Sequence, residues 1–230
     1  MRTNKFALSL AVAGLLAAST ALAEESGAFI GVQGAYGSGE IEAETGTAVN
    51  DALAAAAAAA GGNYVSSSSE PVEFGAFRYG LVVGYKQFFT ERLGLRYYGM
   101  LDYGTYIHEE DLPGGGTASA EFNTLNVNAN VDVIFNFIAS SNFDFGIFGG
   151  VSLGYTNHSP QDSGSSSEES KSTGGFDAGI NLGVRTNIAG HHGIELFGRV
   201  GLTEQKDEGK LITVKYFQPY AVGLRYTFSF

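Results

Sequence analysis

The chain has 230 residues, 13 basic against 24 acidic side chains for a formal net charge of −11, and no cysteine. The missing cysteine excludes a disulfide framework and a thiolate metal site, and the acidic balance makes nucleic acid an implausible partner. The length fits one domain, rich in Gly, Phe and Tyr and without Trp.

The N-terminus comes first because it decides the compartment. Arg2 and Lys5 form a positive region, Phe6 to Ala18 is apolar, and Ser19 to Ala23 ends in the small-residue pattern Ala21-Leu22-Ala23. This reads as a secretory signal peptide over residues 1–23, too short and wrongly flanked to be a transmembrane helix. No cysteine follows it that could carry a lipid anchor. Beyond residue 23 no stretch holds 18 consecutive apolar residues. A chain that spans a membrane without such a stretch must use strands, because only helices and closed barrels satisfy every backbone group in lipid.

Strict alternation then recurs along the chain. Ala28 to Tyr36 opens the set. Phe77, Tyr79, Leu81, Val83 and Tyr85 alternate with Arg78, Gly80, Val82, Gly84 and Lys86. Leu93, Leu95, Tyr97, Leu101, Tyr103 and Ile107 alternate with Arg96, Tyr98, Asp102 and Gly104. The clearest case is Phe122 to Phe137. There Leu125, Val127, Ala129, Val131, Val133, Phe135 and Phe137 oppose Thr124, Asn126, Asn128, Asn130 and Asp132, with Asn136 closing the row. Successive side chains on a strand point to opposite sides, so one face is apolar and the other strongly polar. The segment is longer than the about 5–6 residues usual in globular strands and long enough for the about 9–11 of a spanning strand. Phe143 to Tyr155, Phe176 to Arg185, Ile194 to Thr203 and Tyr216 to Phe230 complete eight segments, the even number that single-chain bacterial barrels have.

The connections alternate in length as well. Short links lie around Thr90-Glu91-Arg92, Ala139 to Asn142 and Ala189 to His192, whereas residues 37–73, 109–120, 157–174 and 204–210 are the longer ones. Short periplasmic turns and longer outer loops are the rule in outer-membrane barrels. The expected fold is therefore all-β: an eight-stranded antiparallel transmembrane β-barrel over residues 24–230, in the bacterial outer membrane, with both termini periplasmic.

An eight-stranded barrel is just wide enough for side chains to fill. Its inward face carries Arg78, Lys86, Arg96, Arg185, Arg199 and Arg225 together with Asp102, Asp132, Asp144, Asp177 and Glu195. Buried charges must be paired, which predicts an internal salt-bridge network. A narrow porin-like channel lined by the same residues is the alternative. Aromatic residues cluster near strand ends, where interfacial girdles lie. Tyr226, Phe228 and Phe230 end the chain as a C-terminal assembly signal would, for handling by the barrel-assembly machinery.

One stretch resembles a known family. Gly84-Tyr-Lys-Gln-Phe-Phe89, followed by Leu93-Gly-Leu-Arg-Tyr-Tyr-Gly99 and Leu101-Asp-Tyr103, resembles the signature of the Helicobacter outer-membrane protein family. Asp132 to Ile138 and Phe145 to Gly154 are similar to two further family segments, and the likeness covers roughly residues 75–230. It implies an outer-membrane barrel, with some members acting as adhesins and others proposed as porins. Large adhesin members carry a bulky extracellular domain near the N-terminus; here only residues 37–73 occupy that place, so an adhesin role does not transfer directly. Within them Ala54 to Ala60, capped by Asn50 or Asp51 and followed by Gly61-Gly62, fits a short helix over residues 50–62 or a disordered loop equally well.

Much of the acid falls in the outer loops: Glu40, Glu42, Glu44, Asp51, Glu70 and Glu73, then Glu109, Glu110 and Asp111, then Asp162, Glu168 and Glu169, then Glu204, Asp207 and Glu208. Contact with outer-membrane lipid, and with lipopolysaccharide bridged by divalent cations, is the expectation this raises. A solvated, self-repelling loop set is the simpler one. For catalysis the candidates are His108 beside Glu109 and His158-Ser159 near Asp162, and neither makes a case for an enzyme. His191-His192 point apart on an extended chain, so no metal or cofactor is expected. The reading is a structural or surface-interaction barrel, adhesion-related through its loops, whose ligand the residues do not name.

Overall fold

A computed structural model describes residues 24–45, 71–111, 117–140, 142–160, 173–208 and 212–230. The expected signal segment with Ala21 and Ala23, and the 50–62 segment, lie outside the described residues. The strands are β1 (Gly27–Thr45), β2 (Val72–Phe88), β3 (Leu93–Asp111), β4 (Thr117–Ile138), β5 (Phe143–Pro160), β6 (Thr173–Ile188), β7 (His192–Gly201), β8 (Glu204–Glu208) and β9 (Ile212–Ser229).

Consecutive strands from β1 to β7 pair antiparallel, and β1 returns to pair with β9, from Phe29↔Ser229 to Thr45↔Ile212. On its other side β9 meets β7 along its last half and β8 along its first, with Val200↔Tyr220 followed by Glu204↔Phe217. β7 and β8 are thus one wall strand interrupted at Leu202 and Thr203. The break stays tied to β6: Leu202 N–H donates to Ala178 O (2.9 Å), and Ala178 N–H donates to the Thr203 hydroxyl (2.9 Å). The result is a closed barrel of eight wall strands. Part of the 204–210 segment read as a loop is strand continuation, and β1, β3, β4 and β5 likewise run past the ends of their alternating segments.

The alternation holds in space. Along β4, Thr124, Asn126, Asn128, Asn130, Asp132 and Asn136 are buried, whereas Leu125, Val127, Val131, Val133, Phe135 and Phe137 are all 40–55% exposed on the outer face. Buried polar residues outnumber buried apolar ones by more than two to one among the described residues. That inverts the rule for a protein surrounded by water and fits one surrounded by hydrocarbon. Aromatics bound the apolar belt at both edges. Tyr36 meets Phe77 edge-on (5.3 Å) and Tyr79 lies by Tyr103 (5.5 Å) toward the long loops; Tyr85 stacks on Tyr97 (5.8 Å) and Phe135 meets Phe137 (5.4 Å) toward the short turns. A register shift between Asn136 and Ile138 ends the alternation of β4 at the lower edge, so that Phe137 and Ile138 both face outward.

The tightest turn joins β6 to β7. Ala189 and Gly190 both have positive φ, 53° and 75°, and His191 N–H donates to Ile188 O (3.2 Å). Positive φ at both central residues of the Ile188–His191 turn, within a three-residue loop, suits the twist of the flanking strands, but an L-side chain pays about 1 kcal/mol or more at such a position. Ala189→Asn, which keeps the N–H bonded to Asn142 O, is expected to stabilise the barrel by roughly 1 kcal/mol. Urea unfolding of the refolded protein in lipid measures it; an unchanged or lowered midpoint would contradict that account of the turn.

Candidate functional site in the barrel lumen

Each lumen residue expected from the sequence reaches the interior by strand parity alone. All ten charged side chains expected there (Arg78, Lys86, Arg96, Asp102, Asp132, Asp177, Arg185, Glu195, Arg199 and Arg225) are buried inside the barrel. They sort into three levels.

At the centre, the Arg96 guanidinium donates to Asp132 through Nη2 (2.7 Å) and Nε (3.2 Å), and through Nη1 to Glu195. Arg225 Nη1 donates to the other Glu195 oxygen (3.2 Å), and its Nε to Gln33 (2.9 Å). Both guanidinium groups lie over aromatic faces: Arg96 over Phe148 (4.6 Å) and Tyr98 (5.0 Å), Arg225 over Phe197 (4.7 Å) and Tyr98 (5.0 Å). Rings and charges are thus interleaved at this level.

Above this level, Arg78 donates to Asp102 (2.7 Å) and Gln218 (2.9 Å), while Gln33 and Asn126 also donate to Asp102 (3.0 and 3.3 Å). Arg199 and Asn128 both donate to the same Asp177 oxygen at 2.6 Å. Inward glycines make the space. A Cβ on Gly179 would stand 2.7 Å from the Arg199 guanidinium, and one on Gly150 would stand 2.3 Å from the Asp132 carboxylate. The void among Gln33, Arg78, Asp102, Arg199 and Arg225 is about 10 Å3, close to the minimum needed for one water.

Below the centre, the sequence reading missed a residue. Glu24 precedes β1, yet its side chain is fully buried and enters the lumen from the short-turn end. Arg185 grips its carboxylate with both terminal nitrogens (2.6 and 2.7 Å), Lys86 donates at 2.6 Å and Asn136 at 3.2 Å. Alternation cannot find a residue that lies outside a strand. Charge balance could have: six inward cations faced five inward carboxylates, and Glu24 makes the buried set among the described residues six against six. Burial alone would raise the Glu24 carboxyl, but Arg185 and Lys86 outweigh it and hold it at about 2. The fifth expected carboxylate, Asp144, takes an N–H from Ser140 (3.2 Å) at the short-turn rim.

The histidine candidates separate. His158 is buried, bonded to Thr124 (3.0 Å) and Gln205 (3.3 Å) and stacked on Tyr216 (4.6 Å). Ser159 is exposed on the outer face, as a neighbour on a strand must be, so the two form no nucleophile–base pair. Asp162 and the side chains of His108 and Glu109 lie outside the described residues. His191 engages Ser229 O (2.9 Å) and His192 the Tyr226 hydroxyl (2.8 Å). Among the described residues no three His, Asp or Glu side chains converge to hold a metal ion.

A closed antiparallel barrel, apolar outside and ion-paired within, defines a membrane β-barrel protein. Residues 80–230 match the pattern of the Helicobacter outer membrane protein family, and the chain belongs to that family of bacterial outer-membrane proteins. No curated protein matches the chain. Among solved structures it is similar to Neisserial surface protein A (15% identity, TM-score 0.46), which it covers completely with 90% of its own length. It is similar also to OprG from Pseudomonas aeruginosa (13%, TM-score 0.46; 91% of this chain, 100% of that one). Ail, the attachment invasion locus protein of Yersinia pestis, matches at 11% identity and TM-score 0.29, with 86% of this chain and 98% of that one covered.

Removing one partner of a buried ion pair strands the other. Glu24→Ala should destabilise the barrel by about 3–5 kcal/mol, and adding Arg185→Met should recover part of that loss. The carboxyl is held below its ordinary 4.5, so its contribution is complete above that pH and fades as pH falls toward about 2. Unfolding midpoints for wild type and Glu24→Ala should therefore converge over this acid range. A constant gap would contradict the pairing.

Proposed function

We propose that the protein is a non-conducting outer-membrane barrel with a structural and surface-contact role, exercised through the acidic loops at its long-loop end. The observation that carries this reading is the ion-paired network that crosses the lumen. Arg96, Glu195 and Arg225 bridge the centre, and the neighbouring void is no larger than a water site. A permeant ion would need a continuous wet path and would have to break several buried pairs on the way.

In this reading the short turns and both termini are periplasmic and the loops face outward, the arrangement usual for such barrels. Glu40, Glu42, Glu44 and Glu73 stand on the strand extensions at the loop end, where Lys215 pairs with Glu42 (3.5 Å) and Glu44. Carboxylates so arranged favour divalent-cation bridging to anionic lipopolysaccharide over direct contact with it. Tyr226 and Phe228 lie on the seam strand β9, where they register with Val32 and Ile30 of β1, and Phe230 follows them. An aromatic closing strand of this kind suits recognition by the barrel-assembly machinery. Catalysis has no part in the proposal, since His158 and Ser159 lie on opposite sides of the wall.

Planar-bilayer recordings test the central point. The refolded, inserted wild type should give no discrete conductance steps. Steps whose size changes in Arg96→Gln or Arg199→Gln would overturn the reading in favour of a narrow channel lined by these residues.

A further inference from the structure

On the outer wall, the upper edge of the belt changes character at three adjacent strands. Between β1 and β2 that edge is closed by aromatics such as Tyr36 and Phe77. Across β3, β4 and β5 the register reads Tyr103–Leu125–Asn157, with Val127 beside Tyr155 below it and Thr105–Asn123–Ser159 above it. Of these, all but Thr105 line an open groove of about 560 Å3, within the roughly 300–1,000 Å3 typical of small-molecule sites. Its floor is apolar, its sides are the Tyr103 and Tyr155 rings, and its upper end is amide and hydroxyl.

We propose that this groove seats one glycolipid of the surrounding outer leaflet, its sugar ring between the tyrosines and the asparagines and one acyl chain along Leu125 and Val127. The proposal rests on the long-loop end facing the outer leaflet. Two features select the occupant. First, the groove is continuous with the lipid-facing belt, so its ligand arrives from the membrane and carries a chain. Second, among the described residues no cationic side chain lines it, which disfavours a phosphate headgroup as the recognised element, whereas aromatic faces suit the C–H face of a sugar and amides its hydroxyls. The amides are already oriented. Thr105 donates its hydroxyl to Asn123 Oδ1 (3.1 Å), and Ser159 donates its hydroxyl to Asn157 Oδ1 (3.3 Å). Asparagine is otherwise disfavoured on strands, and here two of them stand on adjacent strands, diagonal to one another, on the outer face at the belt's edge.

The test uses the full barrel in phosphatidylcholine nanodiscs containing equal small fractions of a glucosyl diacylglycerol and a phosphatidylglycerol with the same acyl chains. Native mass spectrometry after gentle release reads which lipid stays bound. One glucosyl lipid should be retained over phosphatidylglycerol by about fivefold, the equivalent of one net hydrogen bond. Asn123→Leu/Asn157→Leu should bring the two lipids level, and Tyr155→Leu should weaken retention independently. Equal retention by the wild type, or an unchanged preference in the asparagine double variant, would overturn the proposal. The disc is symmetric, so this readout does not depend on orientation in the cell. Protease access to the 161–172 segment in whole cells tests orientation separately.

Discussion

Much inside this barrel answers to one constraint: a charge buried in a narrow lumen must meet an opposite charge. Among the described residues six cations form ion pairs there with Asp102, Asp132, Asp177, Glu195 and Glu24, and isolated ions in that space would each cost several kcal/mol. The solution is distributed over the whole wall. Arg96 of β3 bridges Asp132 of β4 and Glu195 of β7, and Arg225 of β9 shares Glu195. These pairs reach across the barrel and not only along it, so they form fully only once the sheet has closed. Glu24 does the same from outside the sheet, tying β2, β4 and β6 through Lys86, Asn136 and Arg185. The network therefore acts as a check on closure as well as a filling.

The outer face obeys a separate constraint. Lipid offers no driving force for one apolar strand to seek another, so the belt's width is set by bilayer thickness and its edges by aromatic rings. A strand of 16 to 22 residues exceeds the about 9–11 needed to cross. The excess lies toward the long loops, where outward positions turn polar at Thr105, Asn123 and Asn157. The wall thus continues beyond the apolar belt, and the strand extensions carry Glu40, Glu42 and Glu44 away from it.

The period of two made most of the fold legible. It set which side of the wall each β4 residue faces, and with it the inward Arg, Asp and Glu set. Parity carries no information about residues off the strands, which is why Glu24 escaped notice while its partners Arg185 and Lys86 were found. The interruption at Leu202–Thr203 was equally hidden, because the wall strand resumes at Glu204 with charged residues that read as a loop. Pairings across the lumen, such as Arg96 with Glu195, depend on barrel diameter and stagger. Neither quantity is written in any one segment.

In the proposed reading the lumen is committed to pairing and contact falls to the outside, which presents two chemically distinct surfaces. The loop end is acidic and repels anionic surroundings unless cations intervene. The groove between Tyr103 and Tyr155 is uncharged and sits where hydrocarbon gives way to water. Partners drawn to one would be indifferent to the other: charge and ionic strength govern the first, while shape and hydrogen bonding govern the second. Salt should therefore separate the two modes of contact, weakening whatever the loops hold and leaving lipid at the wall in place.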